Sequence, residues 1–254
     1  MKGFLEYVDG TSFLHRMNPV AKIIGALLIA VAAFVSSSVI FLAALIVLGY
    51  MLAGICHMVR QTVGLTKAVL VFAVLLALLA LLTSKPAEGA KILVVLPWGS
   101  ISTTSLVNAL LIFMRLVAAS IPMFLVFYVT KVNDIANAAV KVLHVPYRYA
   151  FTFSSTVKFI PTFLNDMAGI MEAQTARGVE FDGSIAKRIR LIVPLCVPLL
   201  VSSVRKINSS AIAAEVRGFN LRTRESGFKE YPMRAMDWIA LAVCVALVAA
   251  GVVL

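Results

Sequence analysis

The stretch "PVAKIIGALLIAVAAFVSSSVIFLAALIVLGYMLAGICH" runs from Pro19 to His57 and carries a single charge, Lys22. A helix crosses the apolar core of a bilayer in about 20 residues, so this stretch is too long for one span. The serines from Ser36 to Ser38 provide a natural tight turn near its middle. The sequence therefore predicts two consecutive transmembrane helices here, joined at the serines.

Three further apolar stretches lie downstream. They cover residues 68–84, 102–130 and 238–254. Hydrophobic residues make up 61% of the chain, whereas soluble domains have roughly 45–50%. We predict an all-α integral membrane protein of about five transmembrane helices, with amphipathic helices on the cytoplasmic side.

The charges predict how these helices are oriented. Residues 131–237 hold 15 of the 23 Lys and Arg residues and nine of the 12 Asp and Glu residues. Short segments rich in Lys and Arg stay cytoplasmic, and the N-terminal segment has Lys2, Arg16 and Lys22. Five spans and a cytoplasmic N-terminus place the charged block inside the cell.

The chain thus divides into three parts in a multi-pass protein of the cell membrane. Residues 1–130 form a membrane region of four spans, residues 131–237 a cytoplasmic region, and residues 238–254 a last span. The formal net charge is +11, which positive-inside topology and attraction to anionic lipid explain without nucleic acid.

Several kinds of site are not indicated by the sequence. It has no G-x-x-x-x-G-K-[ST] motif, and we therefore expect no ATP-binding loop in this chain. It has no H-E-x-x-H motif, and its three histidines lie far apart. We expect no catalytic residue, no metal site and no cofactor. Cys56, Cys196 and Cys244 lack metal-ligand spacing and are expected to be buried, inert thiols.

One charge lies deep in a predicted span. Arg115 is near the middle of the stretch 102–130. A cation inside a membrane is costly and usually faces a bundle interior or a partner. The first interpretation is a structural group that bonds backbone carbonyls or reaches the interface. Pro122, seven residues on, would kink this helix and free backbone acceptors nearby.

The cytoplasmic region begins with two predicted helices. The first has Asn133 or Asp134 as its N-cap, reaches about Leu143 and is ended by Pro146. The second passes through "TVKFIPTFLNDMAGIMEAQTARG", with Pro161 near its start. Its apolar face repeats every four residues: Phe159, Phe163, Met167 and Met171.

A third amphipathic helix is expected further on. The stretch "LIVPLCVPLLVSSV" is interrupted by Pro194 and Pro198, and we expect it to lie along the membrane surface or the bundle. The helix after it has small residues on one face, which would allow close crossing against the Phe and Met face of the preceding helix. That face comprises Val204, Ile207, Ala211 and Ala214.

Both long amphipathic helices end in Arg-Gly, within "TARG" at 175–178 and "EVRG" at 215–218. Glycine adopts the left-handed conformation just past a helix end without steric strain, and arginine complements the negative end of the helix dipole. Two ordinary C-caps are therefore one interpretation. Two matching cationic ends on consecutive helices also suit a partner with two similar grooves, such as a dimer of homologous subunits.

These motifs resemble those of the transmembrane T component of energy-coupling factor (ECF) transporters, which are vitamin and metal importers of the ABC class. "TARG" and "EVRGF" correspond to the two Ala-Arg-Gly motifs of that family. "SFLHRMNPVAK" at 12–22, "KFIPTF" at 158–163 and "RTRESGF" at 222–228 also fit. The chain departs from the pattern at Val216, where the family has alanine.

The resemblance implies a scaffold, not an enzyme. Such a scaffold joins two homologous cytoplasmic ATPase subunits, which bind the ATP, to a membrane substrate-binding S component. By carry-over, one ATPase would meet the first motif and the other ATPase the second. The residues concerned are Ala176, Arg177 and Gly178 in the first motif, and Arg217 and Gly218 in the second.

Two other classes predict different sequences. A self-contained channel or secondary carrier needs paired polar residues at mid-membrane, or repeated groups of spans. An intramembrane enzyme needs a carboxylate or histidine within a span. The predicted spans offer Arg115 alone at depth, and the repeated Arg-Gly feature lies outside them, which favours the scaffold.

Overall fold

The computed structural model describes residues 10, 12–83, 92–96, 99–179, 185–223, 226 and 229–253. The helices are α1 (Phe13–Arg16), α2 (Pro19–Val35), α3 (Val39–Ile55), α4 (Val59–Thr83), α5 (Thr103–Val129), α6 (Val132–Val142), α7 (Tyr147–Ala176), α8 (Ile185–Val216) and α9 (Ala235–Val253). Two strands, β1 (Ile92–Leu96) and β2 (Gly99–Ser102), lie between α4 and α5. Lys2, Leu254 and residues 224–225 and 227–228 of "RTRESGF" fall outside the described residues.

The all-α membrane fold is confirmed. The long apolar stretch divides at the serines, because α2 ends at Val35 and α3 begins at Val39. Judged by length and composition, α4, α5, α9 and residues 191–216 of α8 could each cross a membrane. The apolar helices α2 and α3 have 17 residues each.

The chain forms two compact units. The first unit comprises the chain up to Ile135 and from Tyr231 onward. In it, α5 contacts α2, α3 and α4, and α2 contacts α9. The core includes Leu42 and Leu45 of α3 and Ala118 of α5. The close approach of α3 to α5 depends on Gly49, since a Cβ there would lie 2.7 Å from the Ile121 Cγ2 atom.

The second unit runs from Ala136 to Glu230 and contains α7 and α8. The structure corrects the expected start of α7: the helix begins at Tyr147, directly after Pro146, so Pro161 lies well inside it. Likewise, Pro194 and Pro198 lie within one continuous α8. Prolines are tolerated inside helices where local adjustments and neighbouring groups satisfy the freed backbone carbonyls.

Three smaller differences concern local structure. The short helix α6 exists as predicted, but Asp134 lies in its first turn and the helix ends at Val142. The antiparallel pair β1–β2 was not predicted from the sequence. The expectation of a buried thiol was wrong for Cys196, which is exposed, whereas Cys56 and Cys244 are buried.

Candidate functional site

The first Arg-Gly motif forms the C-terminal end of α7. Ala176 is the last helical residue, Arg177 is the C-cap, and Gly178 follows with φ +86°. The Gly178 amide donates to the Thr175 carbonyl at 2.9 Å, and the Val179 amide donates to the Gln174 carbonyl at 3.0 Å. These two bonds define a Schellman motif, in which a left-handed residue reverses the chain. Glycine is favoured at 178 because its φ is one that L side chains rarely adopt.

The second Arg-Gly motif ends α8 in a similar way. Arg217 follows the last helical residue, and Gly218 is left-handed with φ +73°. The Gly218 amide donates to the Glu215 carbonyl at 2.9 Å, which matches the Gly178 bond of the first motif. A single 3-10 turn, Phe219–Leu221, then leads the chain away.

The side chains of both motifs are accessible. Ala176, Arg177, Gly178 and Arg217 are exposed, and Gly218 is half-buried. Val216 is 84% exposed, so the extra methyl groups of valine at this position meet little of the chain. A planar guanidinium held at an exposed helix end can pair with a carboxylate through two parallel hydrogen bonds. Both arginines are thus exposed at the C-terminal ends of their helices.

An ion pair joins the C-terminal halves of α7 and α8. The Lys206 Nζ atom donates to the Asp166 Oδ1 atom at 2.7 Å and also contacts the Asp166 Oδ2 atom. The Ser202 hydroxyl donates to the Asp166 Oδ2 atom at 3.3 Å. Asp166 therefore has polar partners from two successive turns of α8.

An aromatic cluster joins the beginning of α7 to the end of α8. The Phe151 and Phe219 rings meet edge to face with centroids 4.9 Å apart, and the Tyr147 ring lies 5.6 Å from Phe219. The Arg222 guanidinium lies 4.6 Å from the Tyr147 ring centroid and donates to the Tyr147 hydroxyl at 2.7 Å. Stacking of this kind holds a guanidinium in one orientation.

A cavity of about 350 Å³ lies beside this cluster, with Arg217 on its wall. Lys158 and Arg222 also line it, together with the hydroxyls of Ser155 and Ser210. Its lining includes no carboxylate within the described part of the chain. Three cations and two hydroxyls make this cavity suited to an anionic group.

The expected packing between α7 and α8 was wrong in its details. The helices do meet, but Val204 and Ile207 are 55% and 53% exposed and Ala211 is also exposed. The side of α8 turned toward α7 carries Ser202 and Lys206. Val204, Ile207 and Ala211 are therefore left uncovered within the described chain, and a more polar stripe makes the contact there. Ala214, at the end of the same predicted face, is half-buried and lines the cavity together with Phe159 of α7.

Arg115 lies in the other unit, away from this site in the sequence. Its Nε and Nη2 atoms donate to the Ser36 carbonyl at 3.2 and 2.8 Å. Ser36 is fully buried and caps α2 at the serine turn. Arg115 therefore bonds a backbone carbonyl, as expected for a structural group.

Sequence reasoning missed a polar network in the first unit. The Asp237 carboxylate is 1% exposed and accepts hydrogen bonds from the backbone amides of Asn18 and Arg234 at 3.1 and 2.9 Å. The Asn18 side chain caps α2 through the Val20 amide and donates to the Tyr231 carbonyl at 2.8 Å. Asn18 directly before Pro19 is a local signal for a helix cap. Its partner Asp237 lies 219 residues away, and no local sequence pattern indicates that bond.

Taken together, these features define a class of protein: a helical membrane protein with two consecutive helices that each end in an exposed arginine and a left-handed glycine. Within the described residues there is no group of three His, Cys, Asp or Glu side chains that could hold a metal ion.

Comparison with known proteins identifies the family to which the chain belongs. A family model described as CbiQ, cobalt transport protein, matches residues 10–227, and the chain belongs to this family. The ECF transporter transmembrane protein EcfT of Lactococcus lactis is 28% identical over 250 residues, covering 91% of this chain and 90% of the relative. EcfT of Listeria innocua is 30% identical over 222 residues, covering 84% and 83%. EcfT of Streptococcus equi is 26% identical over 258 residues, covering 95% and 92%.

Proposed function

We propose that this transport protein is the coupling subunit of an ECF-type importer, with its N-terminus and second unit on the cytoplasmic side. It links two homologous cytoplasmic ATPases, which bind the ATP, to a membrane substrate-binding S component. The cargo class is a vitamin or a metal ion; the family description names cobalt, and the relatives' names leave the cargo open. The observation that carries the proposal is the pair of matching, exposed Arg-Gly ends on α7 and α8.

The helix ends are suited to docking for a physical reason. In each end, the amide of the left-handed glycine donates to a terminal carbonyl and the chain turns away, so the arginine is left exposed at the helix end. A charge-assisted hydrogen bond to such an arginine contributes about 1.5–3 kcal/mol. Two such contacts at separate points fix the orientation of a partner, whereas a single contact would leave it free to swing.

The cavity beside Arg217 supports the same function. Lys158 and Arg222 lie with Arg217 on its walls, and an acidic side chain of an ATPase would be attracted by all three. When ATP draws the two ATPases together, their grooves move and the ends of α7 and α8 move with them. The S component then reorients and carries its ligand inward, so this chain need not touch the cargo.

The test is the double substitution Arg177→Ala plus Arg217→Ala. We expect it to abolish copurification of the ATPases from native membranes and to abolish transport, because both docking cations are removed. Cargo binding by the S component should persist, since that site lies in another chain. The purified single chain should hydrolyse no ATP, and activity should appear only with the ATPases present.

The matched control is Arg148→Ala plus Arg205→Ala, which removes two exposed arginines from the same two helices but away from the Arg-Gly motifs at their C-terminal ends. This control should retain the ATPases and transport. Wild-type assembly and transport in the Arg177 and Arg217 double variant would overturn the docking proposal. Equal losses in both double variants would show that net charge matters and that position does not.

A further inference from the structure

The helices α7 and α8 are related by a constant offset along the chain. Arg177 and Arg217 are separated by 40 positions, and so are Gly178 and Gly218. Asp166 and Lys206, the two members of the ion pair, are separated by the same 40 positions. The ion pair therefore joins two equivalent positions, each 11 residues before its own arginine.

The two helices run in opposite directions through this contact. Phe151, near the start of α7, packs on Phe219, just past the end of α8. Arg217 therefore lies on the side where α7 begins, and Arg177 lies on the other side of the ion pair. Each arm of 11 residues extends roughly 16 Å at about 1.5 Å per residue.

Contact between equivalent positions of two oppositely directed elements is the property of a two-fold axis. We propose that the Asp166–Lys206 ion pair lies on a local two-fold axis of α7 and α8. The ion pair then fixes the crossing of the two helices, and with it the separation of the two arginine ends that the proposed function assigns to the two ATPases. This rests on the proposed function and adds the position of the axis and the residues that maintain it.

Asp166 and Lys206 are thus positioning residues. An ion pair at the crossing is suited to this role, because Asp166 also accepts from Ser202 and so opposes sliding of one helix along the other. Val204 and Ile207 of α8 do not supply this restraint, since both are exposed, and the aromatic cluster joins only the beginning of α7 to the end of α8. Loss of the pair should let the arms change angle while each arginine end keeps its own cap.

The experiment measures the separation of the arms in the purified full chain by double electron–electron resonance. Cys56, Cys196 and Cys244 are replaced by alanine, and spin labels are attached at Thr175→Cys and Glu215→Cys, two exposed positions that share the 40-residue offset. We expect one narrow distance peak. Asp166→Ala should broaden or shift it, and so should Lys206→Asp alone.

The charge-swapped variant Asp166→Lys plus Lys206→Asp should restore the narrow peak, which a merely volume-filling role would not do. The control Glu172→Ala, which removes an exposed carboxylate from α7, should leave the peak unchanged. An unchanged peak in Asp166→Ala, or a swapped variant as broad as the single variants, would overturn the proposal.

A second arm separates this inference from the proposed function. In the assembled transporter, Asp166→Ala should lower transport and be rescued by the swap, while both Arg-Gly ends still capture ATPases. Failure of the wild-type chain to capture ATPases would refute the proposed function without altering the distance result. Full transport with a broadened peak would show that the partner dimer, and not the ion pair, sets the separation.

Discussion

Gly49 of α3 and Gly169 of α7 both lie inside helices, one in each unit. A Cβ at position 49 would lie 2.7 Å from an Ile121 carbon, whereas a Cβ at position 169 would meet nothing within 4 Å. The contrast extends to the helices themselves. Ten residues of α5 are buried, whereas α7 has one buried residue, Ala150, and residues 191–216 of α8 have none.

The difference separates two ways of using an apolar helix. In the first unit, close packing between helices specifies their positions. In the second unit, large apolar side chains such as Leu164 and Leu200 are exposed by 56% and 64%. A surface of this kind requires lipid or protein to cover it. Large apolar side chains are exposed in the first unit too, as at Ile40 (83%) and Val71 (71%), but there they surround a buried core. Because α7 and residues 191–216 of α8 have almost no buried residues, the second unit depends more on its surroundings.

The largest effect should come from the charge inside the first unit. Arg115→Ala removes both hydrogen bonds to the buried Ser36 carbonyl, and we expect a loss of about 2–3 kcal/mol in the free energy of unfolding. Unfolding by SDS in mixed micelles measures it. The control Arg60→Ala changes an exposed arginine of α4 and should have little effect. Equal stability of the two variants would mean that this unit does not depend on the contact.

Replacing a helical glycine by alanine should have a smaller effect on stability, and the sign of that effect should differ between the two units. Gly49→Ala should destabilise by about 1–3 kcal/mol through overpacking against Ile121. Gly169→Ala should stabilise by about 0.5–1 kcal/mol through helix propensity, because the site is open. Gly64 of α4 is a control within the first unit, since its site is also open. A destabilising Gly64→Ala would show that location, and not packing, decides the sign.

The smallest effect is expected at Ala211 of α8. The sequence placed this residue in the crossing, where a bulky side chain would force the helices apart. The structure leaves it exposed, so Ala211→Trp should change stability by less than about 0.5 kcal/mol. Thermal unfolding of the single chain measures this. A large loss of stability would show that Ala211 packs between α7 and α8, as the sequence predicted. If stability is unchanged but transport falls, a partner covers this face.

Local signals predicted much of the fold. The serine turn at 36–38 followed from span length, and both helix ends followed from glycine preference for left-handed backbone. Proline was less reliable. Pro161 looked like a helix start and Pro194 like an interruption, yet both lie inside long helices. A proline inside a helix usually breaks or kinks it. Both of these helices nevertheless continue through their prolines, because neighbouring groups and local adjustments can satisfy the freed carbonyls.

The remaining errors concern contacts between distant residues. Hydrophobic periodicity identified the apolar face of α8, but it carried no information about whether α7 or another surface covers that face. The Asp166–Lys206 pair and the Asn18–Asp237 bond join residues 40 and 219 positions apart. Such pairs have no signature in local propensity, and the individual residues looked like ordinary polar positions.

The bond between Asn18 and Asp237 has a consequence for biosynthesis. The helices α2 and α9 pack together in the first unit, yet 219 residues separate the two bonded residues. At roughly 5–20 residues per second, a ribosome adds that length in about 10–45 s. During that interval α2 is already made and α9 is not. The side of α2 at the Ala32 carbonyl, which a Cβ at Gly251 of α9 would approach to 3.1 Å, lacks this neighbour until α9 is inserted.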